Sequence, residues 1–394
     1  YVPNLRFPEF EGEWEKCKLL KICTFFSGGT PSSSNKDFYG GNIPFIRSGE
    51  LHADSTELFI TQAGFDSSSA KMVEIGDLLL AMYGATSGDI AVSKIKGAIN
   101  QAILCIRTKQ NKKFIESVWN KHVSKNLRKY LQGGQGNLSA DIIKGISFSF
   151  PTLKEQEKIA NLVSLLDERI ATQNKIIDKL QSLIKGLEDN LLDNPLWEKT
   201  YLRSFMQFFS TNSLSWEQLS YEEGEIRNLH YGLIHGFQTR SINSVSLPMI
   251  KNEAIPKQYT LCQVGDVAFA DASEDTGEIA KSVEFVDTIE GDTICGLHTI
   301  HGRDIKNRTV VGFKGFAFNS RYFHNQIKRL AQGTKVFSIT ANNLSSCYVY
   351  LPDFDTQKAI VKLLKAYEEK LLVSKRLLEQ YEKQKQYLLR QMFI

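Results

Sequence analysis

The longest regular pattern in the chain is an apolar seam near its end. Ile360, Leu364, Tyr367, Leu371, Ser374, Leu378, Tyr381, Lys385, Leu388 and Met392 follow one another at alternating steps of four and three, and eight of these ten are apolar. Lysine and glutamate fill the other faces. Such a seam predicts a long helix packed against another long helix. A looser stripe from about Lys154 to Leu192 supplies the partner. It places Ile159, Leu162, Leu166, Ile177, Leu180, Ile184, Leu187 and Leu191 on one side, with Arg169 and Gln173 interrupting. Ile159, Leu166, Leu180, Leu187, Ile360, Leu364, Leu371, Leu378 and Leu388 are therefore expected to pair the helices. At 1.5 Å per residue each helix would be roughly 55 to 60 Å long, too long to be covered by one small domain. They read as a spacer.

The two helices are copies. Pro151 and Gln156 recur as Pro352 and Gln357, a shift of 201 residues that also carries Ile159 onto Ile360 and Leu187 onto Leu388. The repeat extends upstream. Trp14-Glu15-Lys16, Leu19 and Phe25-Phe26-Ser27 return as Trp197-Glu198-Lys199, Leu202 and Phe208-Phe209-Ser210 at a shift of 183. Gly76-Asp77 matches Gly265-Asp266 at a shift of 189. Constant shifts inside blocks, with jumps between them, mean framework elements joined by loops of different length. The chain is a tandem duplication: body 1–150, helix 151–193, body 194–351, helix 352–394.

Each body reads as mixed α and β. Asp77–Tyr83, Ala98–Arg107, Ile146–Pro151, Asp266–Ala270, Thr309–Phe313 and Cys347–Leu351 have the β-branched and apolar composition of short strands. Glycine and serine clusters at Ser27–Ser34, Gly84–Gly88 and Gly133–Gly136 read as loops. The predicted class is α+β, with two duplicated bodies separated by two long helices packed as an antiparallel coiled coil.

Composition adds bounds. With 42% hydrophobic residues the chain can build proper cores, and a net charge of +4 is too mild to indicate a nucleic-acid partner by itself. Six scattered cysteines without a C-x-x-C pair predict free thiols in a reducing cytoplasm. No run approaches eighteen consecutive apolar residues, so a membrane partner is not expected. The chain opens on Tyr1 instead of methionine, and its natural terminus is expected to lie elsewhere.

Local charge is more informative. Arg107, Lys109, Lys112, Lys113, Lys121, Lys125, Arg128 and Lys129 face a single acid, Glu116. Arg303, Lys306, Arg308, Lys314, Arg321, Lys328, Arg329 and Lys335 face Asp304. One basic run is usually a solvated surface. Two in corresponding places of a duplication predict patches that neutralise phosphates, leaving sequence reading to the loops beside them.

Catalytic equipment is missing. No Gly-Lys dipeptide exists, which excludes a Walker A loop, and the chain has no G-x-G-x-x-G turn and no Asn-Pro-Pro-Tyr or Asp-Pro-Pro-Tyr element. Pro352-Asp353 followed by Glu368-Glu369-Lys370 imitates a nuclease pattern, but those last residues fall at expected solvent-facing helix positions. Cys295, His298 and His301 have ligand-like spacing but lack a fourth ligand and a counterpart in the first half, so no metal is assigned. His230 and His235 flank Tyr231-Gly232 without a cysteine pair and read as polar loop residues. Ser27-Gly28-Gly29-Thr30 neither follows a clear strand nor opens a helix, which argues against a phosphate cradle.

Trp14-Glu15-Lys16, Gly29-Thr30-Pro31, Gly41-Asn42-Ile43-Pro44-Phe45-Ile46 and Gly76-Asp77-Leu78-Leu79 occur in that order. Leu229-His230-Tyr231-Gly232-Leu233-Ile234-His235, Gly296-Leu297-His298-Thr299 and the proline before each long helix complete the set. With these features the chain resembles the specificity subunits of type I restriction-modification systems. Leu233 departs from the family, where an acid is usual; Glu50 keeps that character in the first half.

The resemblance implies two target-recognition domains, each reading one half of a split double-stranded DNA site, and no catalytic residue in this chain. It implies two modification subunits that bind S-adenosylmethionine and methylate adenine, and restriction subunits that use ATP and Mg2+. No cofactor is then expected in this chain. Asn and Gln suit adenine, and Arg or Lys suit guanine, in the major groove. Candidate contacts in the first body are Thr30, Ser32, Asn35, Lys36, Arg47, Tyr83, Thr86, Gln135 and Asn137, with Lys125 on phosphate. In the second they are Asn212, His230, Tyr231, Ser273, Glu274, Thr276, Thr334 and Lys335. An autonomous nuclease or nickase would need clustered acids for magnesium, which the bodies lack. A scaffold binding only proteins would not need paired basic runs beside variable polar loops.

Overall fold

The computed structural model describes residues 2–130, 138–242, 247–287 and 291–394, with the side chains of 124–130 excepted. It divides into two compact units, Tyr1–Gln173 with Leu377–Ile394, and Asn174–Arg376. Each unit takes a body and parts of both long helices.

In the first unit the strands are β1 (Glu15–Lys18), β2 (Cys23–Ser27), β3 (Tyr39–Ile46), β4 (Phe59–Ile60) and β5 (Lys71–Val73). They continue as β6 (Leu78–Ala81), β7 (Ile90–Val92), β8 (Gly97–Ile99), β9 (Ile103–Thr108) and β10 (Ser147–Phe150). Two sheets form, in the orders β2-β9-β6-β7 and β4-β3-β8-β5, and β1 pairs with β10. Strand β6 reads Leu-Leu-Leu-Ala and is buried throughout. An uninterrupted apolar strand is covered on both faces. Leu78 and Leu80 join Trp14, Phe114 and Trp119 on one face, whereas Leu79 and Ala81 meet Val73, Ile99 and Cys105 on the other.

Helix α1 (Lys112–Tyr130) covers the first face. The beginning of α2 (Leu153–Leu192) and the end of α3 (Phe354–Met392) complete that core. Ile159, Ala160 and Val163 pack there with Leu389, Met392 and Phe393. Asp167 on α2 is 2.6 Å from Lys385 on α3, and the Arg169 guanidinium lies 6.0 Å from the Tyr381 ring. Residues rising along α2 therefore meet residues falling along α3, the antiparallel sense.

The second unit repeats the plan. Its strands are β11 (Glu198–Tyr201), β12 (Met206–Phe209), β13 (Leu219–Ser220), β14 (Arg227–Leu229), β15 (Ser241–Ile242) and β16 (Met249–Ile250). Then come β17 (Val267–Ala270), β18 (Ala272–Ser273), β19 (Ser282–Phe285), β20 (Thr293–Cys295), β21 (Thr299–Asp304), β22 (Phe337–Ser338) and β23 (Tyr348–Leu351). The central sheet runs β12-β21-β17-β19-β15 and the second β13-β16-β14-β20. Strand β17 is again wholly buried. Val267 and Phe269 face a core shared with Leu192, Ile360 and Leu364 of the helices, and Ala268 and Ala270 face Leu229, Val283 and Cys295.

All ten seam positions of α3 are buried or half-buried, from Ile360, Leu364, Leu371 and Leu378 to Leu388 and Met392. On α2, Ile159, Leu166 and Leu180 are buried and Leu187 half-buried.

Three local expectations change. Thr309–Phe313 is not a strand: the Thr309 N–H donates to Asp304, the Gly312 N–H to Glu284, and Gly312 has φ 92°, so the segment turns into a short helix at Phe313–Ala317. The strand of this region is β21, upstream. Glu368 does not face solvent; it is 5% exposed and accepts hydrogen bonds from Arg240. Ser27-Gly28-Gly29-Thr30 does follow a strand, since Ser27 closes β2. A Cβ on Gly28 would stand 1.8 Å from the Ile99 carbonyl oxygen, and one on Gly29 2.0 Å from the Ser69 hydroxyl. Close backbone approach requires these glycines.

Candidate nucleic-acid interface

Sheet register gathers the polar loops of each body at one end. In the first unit Ser27, the end of β2, is opposite Leu104, and Ala81, the end of β6, is opposite Ile103, both at the start of β9. The loops after β2 and β6 and the turn before β9 therefore emerge together. The Thr30 hydroxyl bonds Gln101 in that turn, and the Met82 N–H donates to Ala102 at 2.8 Å, which brings Tyr83 beside it. Leu138 donates to the Met82 carbonyl at 2.9 Å. Gln135 and Asn137 lie outside the described residues, as does the Lys125 side chain.

The other first-body candidates have local duties. Ser32 bonds Ser34 at 2.8 Å, and the Asn35 carboxamide accepts from the Asp37 N–H, starting the turn that holds Lys36 on the surface. Thr86 accepts the Asp89 N–H at 2.9 Å through its carbonyl. Arg47 is clamped by Glu50 through Nε and Nη2, at 3.2 and 2.9 Å. Burial would raise the Glu50 carboxyl, but the bonds from Arg47 outweigh it and hold it below the usual range. A base contact by Arg47 has to share or replace that pair.

In the second unit β12 and β17 end opposite the start of β21, at Phe209 with His301 and Ala270 with Thr299. The Asn212 amide donates to the Cys295 carbonyl at 2.9 Å. Ser273 pairs with Phe337, and Gln332 bridges Ser338, so the turn carrying Thr334 and Lys335 stands beside the exposed Glu274 and Thr276. Tyr231 contributes an aromatic wall: its ring is 4.8 Å from His230 and 5.3 Å from His298. Trp216, 46% exposed, stacks 4.4 Å from His230. His230 itself is 2% exposed, its Nδ1 accepting the Gly232 N–H that opens the helix Tyr231–Gly236. Burial, with His298 nearby, pushes its pKa down. His230 supports Tyr231 and Trp216 more than it reaches outward.

Sequence reasoning did not single out Trp216, Gln101 or His298 as contacts. Trp216 is an isolated aromatic in a polar stretch, a usable signal. Gln101 and His298 sit in turns that only the strand register brings to the site.

Below the loops each body carries the same ion pair over an aromatic ring. Asp77 holds Arg107 at 2.7 Å above Phe26, and Asp266 holds Arg303 at 2.7 Å above Phe209. Burial would raise both carboxyls; the arginine bonds, and at Asp266 a bond from His301, overcome it and keep both low. Part of each basic run is thus spent inside the fold. Lys113 pairs with Glu116 and Asp167, Lys121 bonds the Phe393 carbonyl, Lys314 pairs with buried Glu284, and Arg308 pairs with Glu198. Lys109, Lys306, Lys328, Arg329 and Lys335 are exposed.

Residues 11–182 match the family description "Type I restriction modification DNA specificity domain". Over 96% of this chain and 92% of its own length, the MjaX type I restriction enzyme specificity subunit of Methanocaldococcus jannaschii is 25% identical. The MjaVIII specificity subunit of the same organism is 23% identical over 97% of this chain and 92% of its own. The crystal structure of a type I restriction-modification S subunit from M. genitalium superposes with a TM-score of 0.63 at 15% identity, covering 100% of this chain and 99% of that one. The fold is a duplicated α+β architecture on long helices, shared with that S subunit. Residues 11–182 thus carry the match to that specificity domain, and along nearly its whole length the chain is similar to specificity subunits of type I restriction enzymes.

Proposed function

We propose that the chain is the DNA-reading subunit of a type I restriction-modification complex, and that each body reads one half of a bipartite duplex site. The observation that carries this is the convergence, in both bodies, of polar loops at the ends of the two central strands flanking β9 or β21. Base edges in the major groove are read by such adaptable polar groups, while exposed lysines and backbone amides position the phosphates. The bodies are diverged copies, so they suit different half-sites. Helix length then fixes the number of unread base pairs, with half-sites about one turn, roughly 10 base pairs, apart.

On this reading the chain supplies recognition and its partners supply chemistry. Two modification subunits would use S-adenosylmethionine to methylate adenine, and restriction subunits would use ATP and Mg2+. The complex is expected in the cytoplasm. Among the described residues no helix is long and apolar enough to cross a membrane.

Selection from random duplexes by the purified complex with its modification subunit tests the proposal. Enrichment of one split motif is expected. Retention of duplexes without any common motif would reduce the chain to a nonspecific binder.

A further inference from the structure

Under the loops of the second body lie three side chains without like counterparts in the first. Cys262, Cys295 and His301 each offer a ligand atom, and the three atoms lie within 4.8 Å of one another. The two sulfurs are 3.6 Å apart and both thiols are free. Cys295 and His301 are 3% and 1% exposed, whereas Cys262 is half-buried.

Strand register identifies what fills these places in the first body. Leu261 is opposite Ile294 as Met72 is opposite Ala98, so Cys262 stands where Val73 does. Leu229 pairs with Cys295 as Ile46 pairs with Ile99. Phe209 pairs with His301 as Phe26 pairs with Cys105. Val73, Ile99 and Cys105 belong to one apolar cluster. Where one repeat has hydrophobic filling, the other has two thiols and an imidazole.

We propose that Cys262, Cys295 and His301 bind a divalent metal ion of the zinc class, which ties β20, β21 and the segment before β17 together beneath the recognition loops. Two sulfurs and one nitrogen suit a tetrahedral borderline-soft ion, with a water as fourth ligand on the half-buried Cys262 side. The His301 ring is held by Asp266, 2.7 Å from its Nε2, and in this proposal the other nitrogen, Nδ1, is the ligand. A carboxylate behind the ligating imidazole is the usual outer support of such sites. Asp266 is fixed in turn by Arg303 and the Gln263 N–H. Binding displaces the two thiol protons to solvent, so affinity rises with pH. His298 stays outside the set, because its Nδ1 bonds Asp271 at 3.0 Å. The Cys295 carbonyl receives the Asn212 amide, which couples the ion to a candidate reading loop.

The test uses the reduced, metal-stripped full chain and Co2+ as probe. One equivalent should produce visible d–d absorption with a near-ultraviolet thiolate band, Zn2+ should displace it, and Zn2+ should raise Tm. Cys262→Val with Cys295→Ile, the first body's own residues, should abolish the spectrum and the Tm shift while circular dichroism stays unchanged. Should that pair not fold, Cys262→Ala alone, at the half-buried position, should weaken Co2+ at least tenfold. No thiolate band in the reduced wild type, a band that survives these substitutions, or a Cys262–Cys295 disulfide in freshly isolated protein would overturn the proposal.

Discussion

Gln156 and Gln357 each make three hydrogen bonds, two of them alike in the two units. Each is 1% exposed, and each donates to the carbonyl of the proline five residues before it, Pro151 at 2.9 Å and Pro352 at 3.0 Å. Each accepts an N–H from the body, from Asn111 at 3.1 Å and Val310 at 2.9 Å, and donates a second bond, to Gln110 and to the Arg308 carbonyl. One side chain thus locks the start of each long helix to its body. Replacing either by leucine leaves a half-buried backbone N–H without its acceptor. Gln156→Leu and Gln357→Leu should each cost about 1 to 3 kcal/mol in denaturant unfolding. A loss near zero would mean that water or a shifted chain replaces the bonds.

The second unit should be more stable in mild acid at one specific place. Arg240 is 2.7 Å from Glu188 on α2 and 3.2 Å from Glu368 on α3, one cation between two buried carboxylates. Burial, with Glu368 and Asp189 nearby, pushes Glu188 up to about 7 against the pull of Arg240. The folded state therefore holds this proton more tightly than the unfolded chain does, and stability falls as pH rises from the ordinary carboxyl range through about 7. Relative to wild type, Glu188→Gln should gain about 1 to 3 kcal/mol between pH 5 and pH 8. A pH-independent difference in urea melts would contradict this. The first unit has the inverse arrangement, Asp167 between Lys113 and Lys385, and its carboxyl is held low.

Tyr231 should matter to one half-site only. Tyr231→Ala removes the wall between His230 and His298 and should cost about 1 to 3 kcal/mol of binding at the second body's half-site. Competition between duplexes altered in one half-site at a time reads this directly. Equal loss at both half-sites would point to misfolding or to phosphate contact.

Adding seven residues to both long helices, in heptad register, should lengthen the unread gap and leave both half-site sequences unchanged. An unaltered gap would refute the spacer role.

Much of this was legible because long periodic helices and a duplication leave strong signals. The helices at Leu153–Leu192 and Phe354–Met392 follow from their seams, and the equivalence of Gln156 and Gln357 follows from the repeat, though not their burial. What escaped depends on contacts distant in sequence. Glu368 falls on an outer helix face by periodicity, yet Arg240 of the body reaches it. Thr309–Phe313 has strand-like composition, but side chains of Asp304 and Glu284 take its N–H groups. Both basic runs read as continuous surface, yet ion pairs such as Lys314 with Glu284 take some of their members inside. Cys262 is far from Cys295 in sequence, and only the pairing of Leu261 with Ile294 brings the thiols together.

The most direct measurement is modification-sensitive sequencing of genomic DNA from cells carrying the modification subunit, with and without this chain. Methyl-adenine at one split motif, present only with the chain, is the predicted result, and exchanging residues 194–351 for those of a relative should change one half of that motif. Methylation that is independent of the chain, or absent despite a stable complex, would contradict a role in choosing the DNA sequence.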